Sequence, residues 1–485
     1  MELEKYFAEF RKDIIGIDHT INTPYGTKKL IYADWIASGR LYKPIEDKIC
    51  KEIGPFVANT HSESSETGRL MTQMYHEAHR KIKRLVNANE KDVIITTGYG
   101  MTSALAKFQR ILGLKVPEKL DKYCRLTGSE RPVVFLTHME HHSNHTPWLE
   151  SLAEVVVLPP DENTLVNPGF LKQEIVKYAD RELKIGSFTA CSNVTGIATP
   201  YYELAEIMHE HGGYCFVDFA ASAPYSQIDM HPKNEKQKLD AIFFSPHKFL
   251  GGPGSSGVLI FNRDLYKNRI PDHPGGGTVT WTNPWGEHAY FDDIEIREDG
   301  GTPGFLQAIK SALCMDLKEK MDVEHMKKRE MELVELAFEE LSKIPRLKIL
   351  ADSEKERLGV ISFYIEDVHH NLIVRLLSDH FGIQVRGGCS CAGTYGHYLL
   401  HVDREKSHQI TSLINQGDMS QKPGWVRVSL HPTTTNEEVM NIAAALYNIS
   451  VHYEKWMYDY DYSNKTNEFW HKTFVPGSIS PFLEL

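Results

Sequence analysis

Apolar residues in the middle of this chain come in short runs separated by amphipathic stretches. Between about residues 93 and 261 the strand-sized runs are Val93–Thr97, Pro132–Thr137, Glu154–Leu158, Ile185–Ala190, Tyr214–Asp218, Ala241–Phe244 and Gly257–Phe261. Helical periodicity fills several of the gaps, as at Tyr201–His211, bracketed by Thr199-Pro200 and Gly212-Gly213. Apolar strands alternating with helices predict an α/β fold with a mostly parallel seven-stranded sheet flanked by helices. Ligands bind such sheets at the carboxyl ends of the strands, so the polar residues that close these runs carry the chemical information.

Outside this region the pattern changes. Residues 1–20 read as a short amphipathic helix with Leu3, Phe7 and Phe10 on one side, and a strand-like segment follows at Leu30–Trp35. Lys318–Ile344 reads as one long charged helix carrying Met331, Val334, Leu336 and Leu341, joining two domains. Strand candidates at Val360–Ile365 and Val426–Leu430 predict a smaller α+β domain, interrupted by a polar, turn-rich loop or lid over 402–424. The expected division is an arm over 1–29, a large domain over 30–310, a smaller domain over 311–450 to which the N-terminal segment contributes, and an aromatic extension over 451–485.

Composition narrows the class. Of 485 residues, 41% are hydrophobic and 25% charged, as in ordinary globular proteins. The balance of 54 Lys and Arg against 65 Asp and Glu leaves a net charge of −11, and no basic block is dense enough to follow a phosphate backbone. Nucleic acid is therefore not expected as a partner. The apolar runs fall far short of the about 18 residues that a bilayer span needs, so no membrane is expected either. Seven cysteines in so long a chain argue against a disulfide framework and for a reducing compartment. With no signal-peptide core in the first residues, the expected location is cytoplasmic.

The chemistry centres on Phe243-Phe244-Ser245-Pro246-His247-Lys248, where a strand runs out into Ser, His and Lys before a glycine-rich turn. A lysine shielded by apolar neighbours loses basicity and becomes a nucleophilic amine, suited to a Schiff base with pyridoxal phosphate, with Ser245 and His247 near the phosphate. Asp218, closing Cys215-Phe216-Val217, suits the acidic partner of that cofactor's pyridine nitrogen. Thr97-Gly98-Tyr99-Gly100-Met101 follows a strand and opens a helix, where free N–H groups bind phosphate. In Met139-Glu140-His141-His142-Ser143-Asn144, a flat imidazole is placed to stack on a cofactor ring; a metal-ligand or structural pair is the alternative.

These segments resemble the class V, fold-type I pyridoxal-phosphate enzymes, most of all the cysteine desulfurase and selenocysteine lyase group, over about residues 30–450. Cys191-Ser192-Asn193-Val194-Thr195-Gly196, Pro274-Gly275-Gly276-Gly277 and Gly301-Thr302-Pro303 extend the likeness. The resemblance implies pyridoxal 5′-phosphate as cofactor, Lys248 as the Schiff-base lysine, Asp218 on the pyridine nitrogen and His141 stacked on the ring. It makes Ser245, His247, Gly100 and Met101 phosphate contacts and places Asn193 by the phenolic oxygen. Thr302 would reach the phosphate of a neighbouring subunit, which implies a homodimer with a shared active site. Where desulfurases usually carry a Gln three residues after the Asp, this chain has Ala221.

A second half-site is Val385-Arg386-Gly387-Gly388-Cys389-Ser390-Cys391-Ala392-Gly393, whose glycines suit a mobile loop presenting a thiol near Arg386. In the resembling enzymes the persulfide-forming cysteine sits five residues after this arginine, at Cys391; Cys389 is an added thiol, and Cys-x-Cys is also found in the desulfurase-like domain of molybdenum cofactor sulfurases. Arg427, within Trp425-Val426-Arg427-Val428-Ser429, is suited to bidentate binding of an amino-acid carboxylate.

The expected function is C–S or C–Se cleavage of a small amino-acid substrate, with Lys248, Cys391 and His141 catalytic, Arg427 and Arg386 binding substrate, and a sulfur-acceptor protein as a further partner. Two alternatives stay open. One is an aminotransferase or epimerase of the same fold that uses no thiol. The other is a non-catalytic protein holding zinc through Cys389, Cys391, His397 and His401, whereas the primary reading has no metal.

Overall fold

The computed structural model describes residues 2–124 and 126–484. Its centre is a seven-stranded sheet of β1 (Asp92–Thr97), β2 (Val133–Thr137), β3 (Glu154–Leu158), β4 (Lys184–Thr189), β5 (Tyr214–Asp218), β6 (Ala241–Phe244) and β7 (Gly257–Asn262). They lie in the order β1-β7-β6-β5-β4-β2-β3. The pairs among β2 to β6 are parallel, while β7 runs antiparallel to both its neighbours. The reason lies in the connection: residues 245–256 hold only the 3₁₀ turn Pro246–Lys248 and no crossover helix, and a parallel return usually needs one.

Both faces of this sheet are covered, as the unbroken apolar strands predict. Side chains alternate between two buried clusters: Val133, Phe135, Ile242 and Phe244 on one face, Val134, Leu136, Ala241 and Phe243 on the other. The strand ends agree with the sequence pattern to within a residue.

The smaller body is an antiparallel sheet of β8 (Leu347–Ile349), β9 (Val360–Ile365), β10 (Arg386–Gly388) and β11 (Trp425–Ser429), in the order β8-β9-β11-β10. Helices Val323–Leu341, His370–Phe381 and Asn436–Trp456 supply much of its core. The N-terminal segment joins it: Ile31–Tyr32 pairs in parallel with Ile383–Gln384, and Ile31 and Ala33 are buried in the same core. The strand expected over Leu30–Trp35 is thus only two residues long.

Three further expectations change in detail. The single helix expected over Lys318–Ile344 is two helices, Phe305–Lys320 and Val323–Leu341. Asp322 between them has φ +60°, and its carboxylate accepts the N–H groups of Glu324 and His325, capping the second. The segment 402–424 holds a helix, Arg404–Asn415, with Asp403 as its cap. The aromatic extension begins as the last turns of Asn436–Trp456, continues into a hairpin, Tyr460–Ser463 with Glu468–His471, and runs on to a 3₁₀ turn at Ser480–Phe482. The Tyr460 hydroxyl donates to Asp379 at 3.0 Å, fastening that hairpin to helix His370–Phe381. Among the described residues no helix is long and apolar enough to cross a membrane.

Candidate active site

Asp218 ends β5, Thr189 ends β4 beside it in register, and Lys248 follows β6 by four residues. The parallel strands therefore bring these residues together at the carboxyl ends of the sheet. There they line a cavity of about 180 Å³ together with Met101, His141, Asn193, Ser245, His247, Arg386, Ser390 and Arg427. Gly100 borders it through Ser245: a Cβ there would stand 2.8 Å from the Ser245 Oγ. On its other side Gly100 packs on Gly257, where any Cβ would meet the Gly100 backbone at 2.4 Å. The bare backbones let the turn into helix Met101–Ile111 sit directly over β7, and Met101 N–H points at Ser245 Oγ, 2.8 Å away.

The electrostatics follow from burial. Lys248 is pushed down to about 8 by desolvation, with the Asp218 charge opposing the shift and Arg427 and Arg386 reinforcing it. Burial raises the Asp218 carboxyl to about 6, held back by the Ala220 N–H it accepts and by Lys248. His141 falls to about 3 through burial and the neighbouring Lys248. Its Nδ1 accepts the Ser143 N–H at 3.1 Å, so the ring is neutral with its proton on Nε2. His247 drops to about 4 for the same two reasons.

Arg427 is 2% exposed, and its fork is held at both tips. Nη1 donates to the Asn193 carbonyl at 3.1 Å, and Nη2 to Asp34 Oδ1 at 2.9 Å. Asp34 Oδ2 also lies 3.5 Å from Arg386 Nε. Asp34 lines no part of the cavity that both arginines face; it backs them from the N-terminal segment, where it bridges to Ser429. Sequence reasoning missed this residue, although an acid closing the apolar run Ile31-Tyr32-Ala33 is the same signal that singled out Asp218.

Cys391 stands at the rim. It is exposed, while Ser390 beside it lines the cavity and Cys389 is half-buried on the small core cluster that holds Tyr395 and Trp425. Ser390 and Cys391 have φ of +49° and +56°, a left-handed backbone uncommon for residues with side chains and often found at functional loops. Asn193 Nδ2 donates to the Ser390 carbonyl at 2.8 Å, and its buried Oδ1 has no partner among the described residues. Two residues lie elsewhere. Thr302 is outside the cavity, with its hydroxyl 3.2 Å from Asn59 Oδ1. His397 has both ring nitrogens engaged, by the Gly393 carbonyl and Ser407 Oγ, and among the described residues no three His, Cys, Asp or Glu converge as a metal site.

Comparison with known proteins gives the family and the fold. Residues 31–442 match the family model described as aminotransferase class-V. A probable cysteine desulfurase of Halalkalibacterium halodurans is 29% identical over 385 residues, covering 79% of this chain and 88% of that protein. One of Staphylococcus aureus is 29% identical over 388 residues, covering 79% and 87%. Among solved structures, the apo cysteine desulfurase of Thermococcus onnurineus superposes with a TM-score of 0.71 at 22% identity, covering 91% of this chain and 98% of that one. The S-sulfonic acid form of the Escherichia coli cysteine desulfurase CsdA gives 0.69 at 20% identity, covering 92% and 98%.

Proposed function

This chain belongs to the class-V aminotransferase family, and from that premise we propose that it is a pyridoxal-phosphate-dependent cysteine desulfurase, or a lyase acting likewise on selenocysteine. The observation that carries the reading is the exposed Cys391 thiol at the rim of a pocket that holds a half-buried amine, a buried carboxyl and a buried arginine. The pocket fits the cofactor. Lys248 would bond its aldehyde, Asp218 would hold its pyridine nitrogen, and Asn193, whose buried Oδ1 has no partner among the described residues, would offer its ring a polar contact. Ser245, His247 and the turn at Met101 would hold its phosphate, with Thr302 reaching it from the second subunit of a homodimer.

When bound, pyridoxal phosphate supplies an electron sink for charge developing at the substrate's α-carbon. The chain's residues do the rest. Arg427, fixed at both tips, takes the substrate carboxylate and so sets the α-proton toward Lys248. Lys248, its basicity lowered by burial, removes that proton. The Cys391 thiolate then attacks the substrate sulfur. The S–S bond forms as the C–S bond breaks, the bonding pair stays with the carbon skeleton, and protonation releases alanine. The sulfur remains as a persulfide on Cys391, for collection by a reductant or an acceptor protein. Loading the protein with cofactor and adding L-cysteine without reductant tests this: intact mass and peptide mapping should show one added sulfur on Cys391. A Cys391→Ala variant that still transfers sulfur at the wild-type rate would refute it.

Ala221 keeps a second reading in view. Its methyl lines the pocket with no amide to offer the cofactor, which suits a thiol-independent aminotransferase. Transfer of the amino group from a small amino acid to a keto acid, undiminished in Cys391→Ala, would select that reading.

A further inference from the structure

The histidine doublet of the sequence splits into two tasks. His141 faces the cavity, whereas His142, half-buried one residue on, turns to the loop that carries the thiol. His142 N–H donates to the Cys391 carbonyl at 2.7 Å. Its ring Nε2 accepts the Gly393 N–H at 3.0 Å. One residue therefore grips the loop on both sides of Ala392, from a turn that is itself anchored: Thr146 Oγ1 donates to the His142 carbonyl at 3.0 Å, and Thr102 Oγ1 to Ser143 Oγ at 2.6 Å. A Cβ at Gly393 would sit 3.2 Å from Nε2, so glycine is what lets the ring come this close.

We propose that His142 is a positioning residue that clamps the thiol loop, holding Cys391 at the pocket rim through the ring acceptor it offers to Gly393. This rests on the reading of Cys391 as the nucleophile. Ser390 and Cys391 both occupy left-handed backbone, a conformation that persists only where neighbours impose it. Asn193 on the Ser390 carbonyl and His142 on Cys391 and Gly393 are those neighbours. The clamp depends on protonation, because only the neutral imidazole can accept at Nε2. Burial, reinforced by Lys422 from the segment leading into β11, holds His142 below the ordinary imidazole range. His141 and His145 flank it on its own turn, and Cys391 lies across it on the loop. The neutral, clamping form thus prevails at neutral pH, and acid releases it.

The test compares the cofactor-loaded wild type with His142→Ala and His142→Gln, whose side-chain carbonyl keeps an acceptor that does not titrate. The first readout is amide exchange of a peptide spanning 389–395, corrected for intrinsic rates. In the wild type its protection should hold at pH 7 and fall away below the usual imidazole value of 6.5. His142→Ala should lose that protection at pH 7, and His142→Gln should keep it without the acid-triggered loss. The second readout is alanine formation: His142→Ala should lose about 5-fold in kcat, the scale of one hydrogen bond, with KM within about twofold. Unchanged exchange in His142→Ala would overturn the proposal. So would a His142→Gln variant as unprotected as His142→Ala, since ring packing rather than the acceptor would then hold the loop. If the wild type formed no alanine from L-cysteine, the desulfurase reading would fail while the exchange comparison still judged the clamp.

Discussion

Lys248 owes its reactivity to where the chain puts it. It is half-buried where the pocket lining desolvates its amine, so the ammonium is disfavoured, yet Asp218 is close enough to keep the shift moderate. The free amine is the form that bonds an aldehyde, and its fraction grows as pH rises through the folded pKa. Cofactor attachment, followed by absorbance, should therefore accelerate with an apparent midpoint near 8 rather than near the 10.5 of an ordinary lysine. Asp34 carries the second expectation at this scale. Asp34→Asn removes the charge that fixes Nη2 of Arg427, so KM for L-cysteine should rise about tenfold, the scale of a charge-assisted hydrogen bond, with kcat nearly unchanged. Cysteamine, which lacks the carboxylate, should bind the variant as it binds the wild type; weakening of both ligands would point to collapse of the pocket instead. Lys248 and Asp218 were legible because Asp218 ends an apolar strand of the central alternation and Lys248 follows another by four residues. Asp34 ends one too, but its partner Arg427 lies 393 residues along the chain, and nothing local announces such a pairing.

Among the elements, the strands and their mostly parallel arrangement read well, and only the reversal of β7 did not. The hydrophobic pattern marks all seven central strands because both faces are buried, but apolar spacing is blind to orientation, so the reversal of β7 emerges only with the helix-free connection that forces it. Asp322 hides similarly: the apolar positions continue across the break, and only a left-handed residue with a capping carboxylate divides the helices. Helix Arg404–Asn415 escaped because Ile410 is its one buried residue, leaving almost no apolar stripe to detect. The helix Asn436–Trp456 has the clearest local signal, a capping box in which Thr435 and Glu438 exchange bonds. Glu438 also receives Arg11 through both carboxylate oxygens, at 2.7 and 2.9 Å, which ties the N-terminal helix Leu3–Arg11 to the smaller body. Thr435→Ala should lower unfolding free energy by about 1 kcal/mol, measured by urea titration, without moving KM. A loss of activity at unchanged stability would mean that this cap reaches the site.

At the scale of the whole molecule, the cavity lies between two bodies with separate cores, one bringing Lys248 and Asp218 and the other Arg386, Cys391 and Arg427. The hairpin Val279–Thr282 with His288–Tyr290 leaves Trp281 51% and Trp285 83% exposed, and Thr302 lies outside its own cavity, as the proposed homodimer requires. Sedimentation should find a homodimer, and Trp285→Asp should shift it toward monomers with loss of activity. A monomeric, fully active wild type would contradict the shared site. The central claim is the pairing of Lys248 chemistry with the Cys391 thiol. It is tested most directly by incubating the cofactor-loaded protein with L-cysteine and a thiol reductant, measuring alanine and sulfide in the same samples. The account predicts equal amounts of both, catalytically produced, and neither from Cys391→Ala. Absence of both products from a wild-type protein that carries its cofactor on Lys248 would contradict it.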